Sequence, residues 1–141
     1  MDKGIYTLIL KSEGADIRIG ALGTLAIPGG YLIYVGSALG PGGLGRISRH
    51  EKAAHDGRRP HWHIDYLLRH PSTRLIASVA APTSERLECT LADAVAGTSI
   101  PGFGASDCRC RSHLFTRVDD PIPELAAIFS SLGLLATIRR Y

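Results

Sequence analysis

GIYTLILKSEGADIRIGALGTLAIPGGYLIYVGSALGPGGLGRISRHEKAAH, residues 4–55, is the stretch on which the fold turns. Gly4 to Leu10 is apolar, aromatic and β-branched throughout, the composition of a buried strand. Asp16 to Gly20 alternates polar and apolar residues and predicts a half-buried edge strand. Leu22 to Ile27 predicts another short strand, Pro28-Gly29-Gly30 a turn, and Tyr31 to Ser37 a further strand. The glycines and proline of LGPGG then end the strand. A helical pattern runs from Leu44 to His55, with Arg46, Arg49 and His50 at i, i+3 and i+4 on one face and Leu44, Ile47 and Ala54 on another.

Beyond this stretch, a loop from Gly57 to Pro60 leads into HWHIDYLLRH, a short helix ended by Pro71. Leu75 to Ala80 predicts a strand. Pro82-Thr83-Ser84 opens a helix with cap-type residues and Glu85 in its first turn, and Gly97 closes it. A loop follows from Ile100 to Arg111, then a strand from Ser112 to Val118 and a helix from Pro121 to Leu132. Strands and helices interleaved in this way predict one α+β domain.

The 141 residues suit a single domain that folds without disulfides or metal, and 45% apolar against 21% charged residues is ordinary globular composition. No apolar run approaches the length of a membrane span. MDKGIYTLIL carries no cleavage-like site, which predicts a soluble, cytoplasmic protein. Cys89, Cys108 and Cys110 are expected as reduced thiols.

The formal net charge of +3 is concentrated. Between Gly43 and His70 lie Arg46, Arg49, Lys52, Arg58, Arg59 and Arg69 against Glu51, Asp56 and Asp65, with five of the six histidines. A basic segment of this kind suits an anionic partner such as a phosphate backbone, and equally a solvated helix face. Nucleotide-loop chemistry is excluded: the glycines of GPGGLG are followed by no Gly-Lys-Ser/Thr and do not space as Gly-x-Gly-x-x-Gly. The chain also contains no Gly-x-Ser-x-Gly elbow.

Gly4-Ile5-Tyr6 and Tyr34-Val35-Gly36, with Gly45-Arg46-Ile47-Ser48-Arg49-His50 after them, resemble the motifs of the GIY-YIG endonuclease superfamily. The order of the two tripeptides, one near the start and one after a hairpin, carries the resemblance. It is closest to a small stand-alone subfamily related to domains fused to endonuclease III-type repair enzymes, of which HWHIDYLL and GFGASDCRCRSHLF are typical. The resemblance implies a short antiparallel sheet flanked by helices, with a core at about 1–98 and a subfamily-specific extension, 99–141, packed on it. It implies hydrolysis of DNA phosphodiester bonds in DNA repair or processing, with one Mg²⁺ or Mn²⁺ ion. DNA, branched or damaged, is the implied partner, and a DNA-repair protein would supply specificity.

On that reading Tyr6 activates water and Tyr34 hydrogen-bonds water or phosphate. A phenol with a pKa near 10 needs a nearby cation or metal to serve as a base at neutral pH. Arg46 neutralises the pentavalent phosphate, its planar fork suiting phosphate oxygens. His50 assists proton transfer or grips the backbone. Arg49, Lys52, Arg58, Arg59 and His61 are the expected nucleic-acid contacts. Some members carry a late asparagine with no counterpart here, and Ser106 and Asp107 stand in that region.

Glu88 is the expected metal ligand. On a helix starting at Ser84, it lies at the edge of the apolar face formed by Leu87, Leu91, Ala94 and Val95, while Glu85 points to solvent. A carboxylate there needs a partner, either a hard divalent cation or an arginine such as Arg46. Other readings of the same residues are core tyrosines, a Cys₃His zinc site from Cys89, Cys108, Cys110 and His113, and a metal held by His61, His63 and Asp65. A nucleic-acid-binding module without catalysis is the alternative function.

Overall fold

The computed structural model describes residues 2–53, 59–60, 62–104 and 112–141. Strand β1 (Gly4–Arg18) leads into β2 (Thr24–Ala38), then helices α1 (Arg46–Ala53) and α2 (His63–Leu68). Strand β3 (Thr73–Pro82), helix α3 (Glu88–Val95), strand β4 (Leu114–Arg117), helix α4 (Ile122–Ser131) and strand β5 (Thr137–Arg140) complete the order. The fold is α+β, with a five-stranded sheet in the order β4-β2-β1-β3-β5. Every pairing in it is antiparallel.

Strand β1 lies at the centre and its first half is covered on both faces, which is why Gly4 to Leu10 is apolar but for Thr7. Alternate side chains divide between two cores. Tyr6, Leu8 and Leu10 of β1 join Leu32 and Tyr34 of β2 under Ile47 of α1 and Ile64 and Leu67 of α2. Ile5, Ile9, Ile33 and Val35 pack on the other face against Leu91 and Val95 of α3 and Leu125 and Phe129 of α4.

The first two strands differ from expectation. Instead of four short strands turning at Pro28-Gly29-Gly30, one long hairpin pairs Gly4 with Ala38 and Arg18 with Thr24. The chain reverses at a single 3-10 turn, Gly20–Leu22, closed by Ile19 N–H to Gly23 O at 2.8 Å. Pro28 and Gly14 fall in a gap of the ladder between the pairs Glu13–Gly29 and Ala15–Ile27. Pro28, which has no N–H, thereby forfeits no ladder bond. Gly14 at φ +85° and Gly30 at φ +113° absorb the bend. The glycines that signal a turn here kink a continuous ribbon.

Two further boundaries moved. Helix α3 begins at Glu88, not Ser84, because β3 extends to Pro82 and a local turn follows, with Glu85 N–H on Thr83 Oγ1 at 3.1 Å. Strand β5, exposed along its whole length, was not expected. Residues 99–141 supply both edge strands, and Phe115, Ile122, Leu125 and Phe129 from this region are buried. Among the described residues no helix is long and apolar enough to cross a membrane.

Candidate functional site

Tyr6 stands opposite Gly36 in the β1–β2 ladder, and Tyr34 opposite Leu8. The two tyrosines are therefore diagonal neighbours on one face, two residues out of direct register. Gly36 makes room for the first of them. A Cβ at that position would come within 2.4 Å of the Tyr6 ring.

Helix α1 starts at Arg46, directly after the glycine-rich segment, and aims its first turn at the tyrosines. The Arg46 guanidinium donates from Nη1 to Ser37 O at 2.7 Å and lies 5.3 Å from the centre of the Trp62 ring. One turn on, buried His50 places Nε2 at 2.8 Å from Tyr6 Oη, with Trp62 edge-on at 5.6 Å. The other ring nitrogen of His50, Nδ1, is buried with no hydrogen-bond partner among the described residues. Trp62 is positioned by the start of α2, where its N–H donates to the buried Asp65 carboxylate at 2.9 Å.

Glu88 opens α3, where a carboxylate favours the helix dipole. Its Oε1 is 3.5 Å from Nε2 of buried His113, which immediately precedes β4. Tyr6, Tyr34, Arg46, His50, Trp62, Glu88 and His113 line one polar cleft of about 280 Å³, whose walls also include Gly36, Ser37, Arg86 and Gly104.

Burial dominates the electrostatics of the cleft. It pushes the Tyr6 phenol well above its ordinary value of 10.0, with Tyr34 and Glu88 adding and Arg46 opposing. Burial also raises Tyr34, helped by the Glu88 charge. The His50 imidazole is pushed down to about 4, first by burial and then by Arg46 and Arg49, with Asp65 opposing. Burial lowers His113 as well, against the pull of Glu88. The resting site is thus a protonated phenol beside a neutral imidazole.

Of the residues singled out in the sequence, Tyr6, Tyr34, Arg46, His50 and Glu88 meet at this cleft. Arg49, Lys52 and Arg59 are exposed and do not line it. Arg58 and His61 lie outside the described residues, as do Ser106, Asp107, Cys108 and Cys110. Glu88 approaches His113, not Arg46. It is the first residue of α3, in line with buried Leu91, Ala92 and Val95, and its side chain is partly exposed.

Cys89 is disulfide-bonded, contrary to the expectation of reduced thiols, and so offers no thiolate to a zinc ion. His63 and Asp65 serve local structure: His63 Nδ1 accepts the Gly104 N–H at 2.8 Å, and Asp65 receives the Trp62 N–H. Among the described residues no group of three or more His, Cys, Asp or Glu side chains gathers as a metal site.

Trp62, Arg86 and His113 are cleft residues that the sequence reading did not place there. Trp62 and His113 belong to HWHIDYLL and GFGASDCRCRSHLF, the two segments set apart as distinctive, whereas Arg86 carried no signal of its own. No curated protein and no solved structure matches the chain. One family model does, over residues 5–134, which include every cleft residue named above. The chain belongs to the family described as Domain of unknown function DUF123.

Proposed function

We propose that this protein is a metal-dependent endonuclease of the GIY-YIG type that hydrolyses DNA phosphodiester bonds in repair or processing. The observation that carries the reading is the convergence of Tyr6, Tyr34, Arg46, His50 and Glu88, from β1, β2, α1 and α3, on one polar cleft. Two phenols, a guanidinium, an imidazole and a carboxylate are the groups that phosphoryl hydrolysis asks for.

The residues fit a divalent cation of the Mg²⁺ or Mn²⁺ kind. The Glu88 carboxylate is partly exposed in the cleft, and such ions are commonly held by one or two carboxylates, several waters and substrate oxygens. Bound at Glu88, the ion supplies positive charge that offsets the phosphate and favours ionisation of the neighbouring phenol.

Once its own proton has been lost to solvent, the Tyr6 phenolate oxygen takes a proton from the attacking water as the new P–O bond forms. Arg46, fixed by the Ser37 carbonyl, faces the negative charge gathered on the five-coordinate phosphorus. His50 holds Tyr6 in place through the 2.8 Å bond, and Tyr34 offers a second hydroxyl to water or phosphate. The opposite P–O bond breaks, and the departing oxygen is protonated from solvent.

A non-catalytic DNA-binding module is the second reading. It is favoured by the depth at which Tyr6 is buried, since that burial opposes the ionised base that cleavage requires. Labelled single-stranded, duplex, flap and four-way-junction DNA incubated with Mg²⁺ or Mn²⁺ separates the two readings. Cutting that is lost in Tyr6→Phe and Glu88→Ala supports the enzyme. Binding without cutting by wild type and both variants leaves the module.

A further inference from the structure

Glu88 and His113 reach the cleft from different elements, and the gap between them is chemically specific. Glu88 Oε1 and His113 Nε2 are 3.5 Å apart, too far for a good N–H···O hydrogen bond. The imidazole is carried on backbone fixed on both sides: His113 N–H donates to Phe103 O at 2.8 Å, and His113 O accepts the Val35 N–H at 2.8 Å. The buried His113 ring is thereby held in place at the cleft wall, within reach of the Glu88 carboxylate. Two donors each about 2.0–2.1 Å from a tetrahedral ion stand about 3.4 Å from one another, which is close to the spacing seen here.

We infer that Glu88 and His113 together form a carboxylate–imidazole site for one divalent transition cation of the Mn²⁺ to Zn²⁺ series, bound in preference to Mg²⁺. Imidazole nitrogen is a good ligand for such ions, while Mg²⁺ favours an all-oxygen shell. The remaining positions fall to water and substrate oxygens. The inference rests on the reading of this cleft as a cation site and refines which cation it takes.

Titration calorimetry with MnCl₂ or MgCl₂ alone, without DNA, tests it on wild type, Glu88→Gln and His113→Gln. One Mn²⁺ should bind wild type, with Kd raised about tenfold or more in each variant. Mg²⁺ binding should weaken in Glu88→Gln and stay within about threefold of wild type in His113→Gln. An unchanged Mn²⁺ affinity in His113→Gln, or equal losses for both ions, overturns the site.

Because His113 is buried and its substitution can unfold the chain, pulsed electron paramagnetic resonance on Mn²⁺-loaded wild type gives an independent reading. Nitrogen-14 modulation from a coordinated imidazole, lost in Glu88→Gln, supports the pair, and its absence from wild type overturns it. These readouts are separate from cleavage. Metal on the pair without DNA cutting defeats only the nuclease reading, and Mg²⁺-dependent cutting without nitrogen coupling defeats only this one.

Discussion

Tyr6 and His50 share one hydrogen bond, Oη to Nε2 at 2.8 Å, while Nδ1 of the same imidazole is buried and unpartnered among the described residues. This asymmetry selects a tautomer. A proton on Nδ1 would bury a donor with no acceptor, whereas a bare Nδ1 buries only a lone pair, the less costly defect. The proton therefore belongs on Nε2, and His50 donates to Tyr6. Tyr6 Oη is left as an acceptor toward His50, with its own proton free to point into the cleft.

That assignment predicts the pH dependence of cleavage. A base whose pKa lies well above 10 is ionised tenfold more for each pH unit gained below that value. With saturating metal, which lowers that pKa, kcat should rise about tenfold per pH unit from roughly pH 6 toward the shifted value, and His50→Ala should lower it without flattening the slope. If the water's proton passed instead through Tyr6 to a neutral His50, whose pKa is about 4, the profile would be flat above pH 5 or so. Single-turnover rates across that range decide between the two routes.

Acid stability follows from the same burial. The folded His50 pKa of about 4 lies below the unfolded value near 6.5, so the unfolded chain binds the proton first as pH falls. His50 thus contributes stability that is complete above about pH 6.5 and is lost on the way down to about pH 4. The loss is on the order of 3 kcal/mol. His113, also lowered by burial, adds to the loss with the same sign. Urea titrations at pH 7, 6, 5 and 4 should show the decline in wild type and a shallower one in His50→Gln, where slope and not absolute stability is compared.

The opposition of Gly36 and Tyr6 yields a steric prediction. A methyl group at position 36 would meet Tyr6 Cζ at 2.4 Å and Oη at 2.5 Å, and Tyr6 is 1% exposed. Gly36→Ala should cost about 1–3 kcal/mol through overpacking. It should also move Tyr6 Oη off His50, lowering cleavage about as far as Tyr6→Phe does. Tyr6→Leu in the Gly36→Ala background should recover thermal stability without recovering activity. Melting temperatures and rates for the three proteins check this.

What was legible in the sequence depended on local chemistry. Gly4 to Leu10 and Tyr31 to Ser37 announced themselves because both faces of those segments are buried, and Arg46 and His50 because helical spacing puts them one turn apart. The course of residues 11–30 was not legible, since glycine and proline signal a kink within a ribbon and a reversal of the chain alike. Glu88 was found, but its neighbour was not. His113 reaches it only because β4 pairs with β2, a long-range contact that no spacing in the sequence encodes. Trp62 was likewise visible as part of a distinctive segment, while its place beside Arg46 and His50 depends on how α2 packs against α1.

The exposed cations of α1 should behave unlike those in the cleft. Arg49 and Lys52 are exposed and line no part of it, so their charges face solvent, where a phosphate backbone would pass. Replacing either should leave folding within about 0.5 kcal/mol of wild type, as is usual for surface positions. Each charge that contacts a phosphate releases about one counterion from duplex DNA, so its loss should reduce the slope of log K against log salt by about 0.9. Arg49→Ala, Lys52→Ala and the double variant, titrated with fluorescent duplex from 50 to 200 mM NaCl (about the range over which such contacts weaken most), should show additive losses of slope and no change in kcat at saturating DNA. A slope unaltered in the double variant would place the DNA path elsewhere on the surface, away from the outer face of α1.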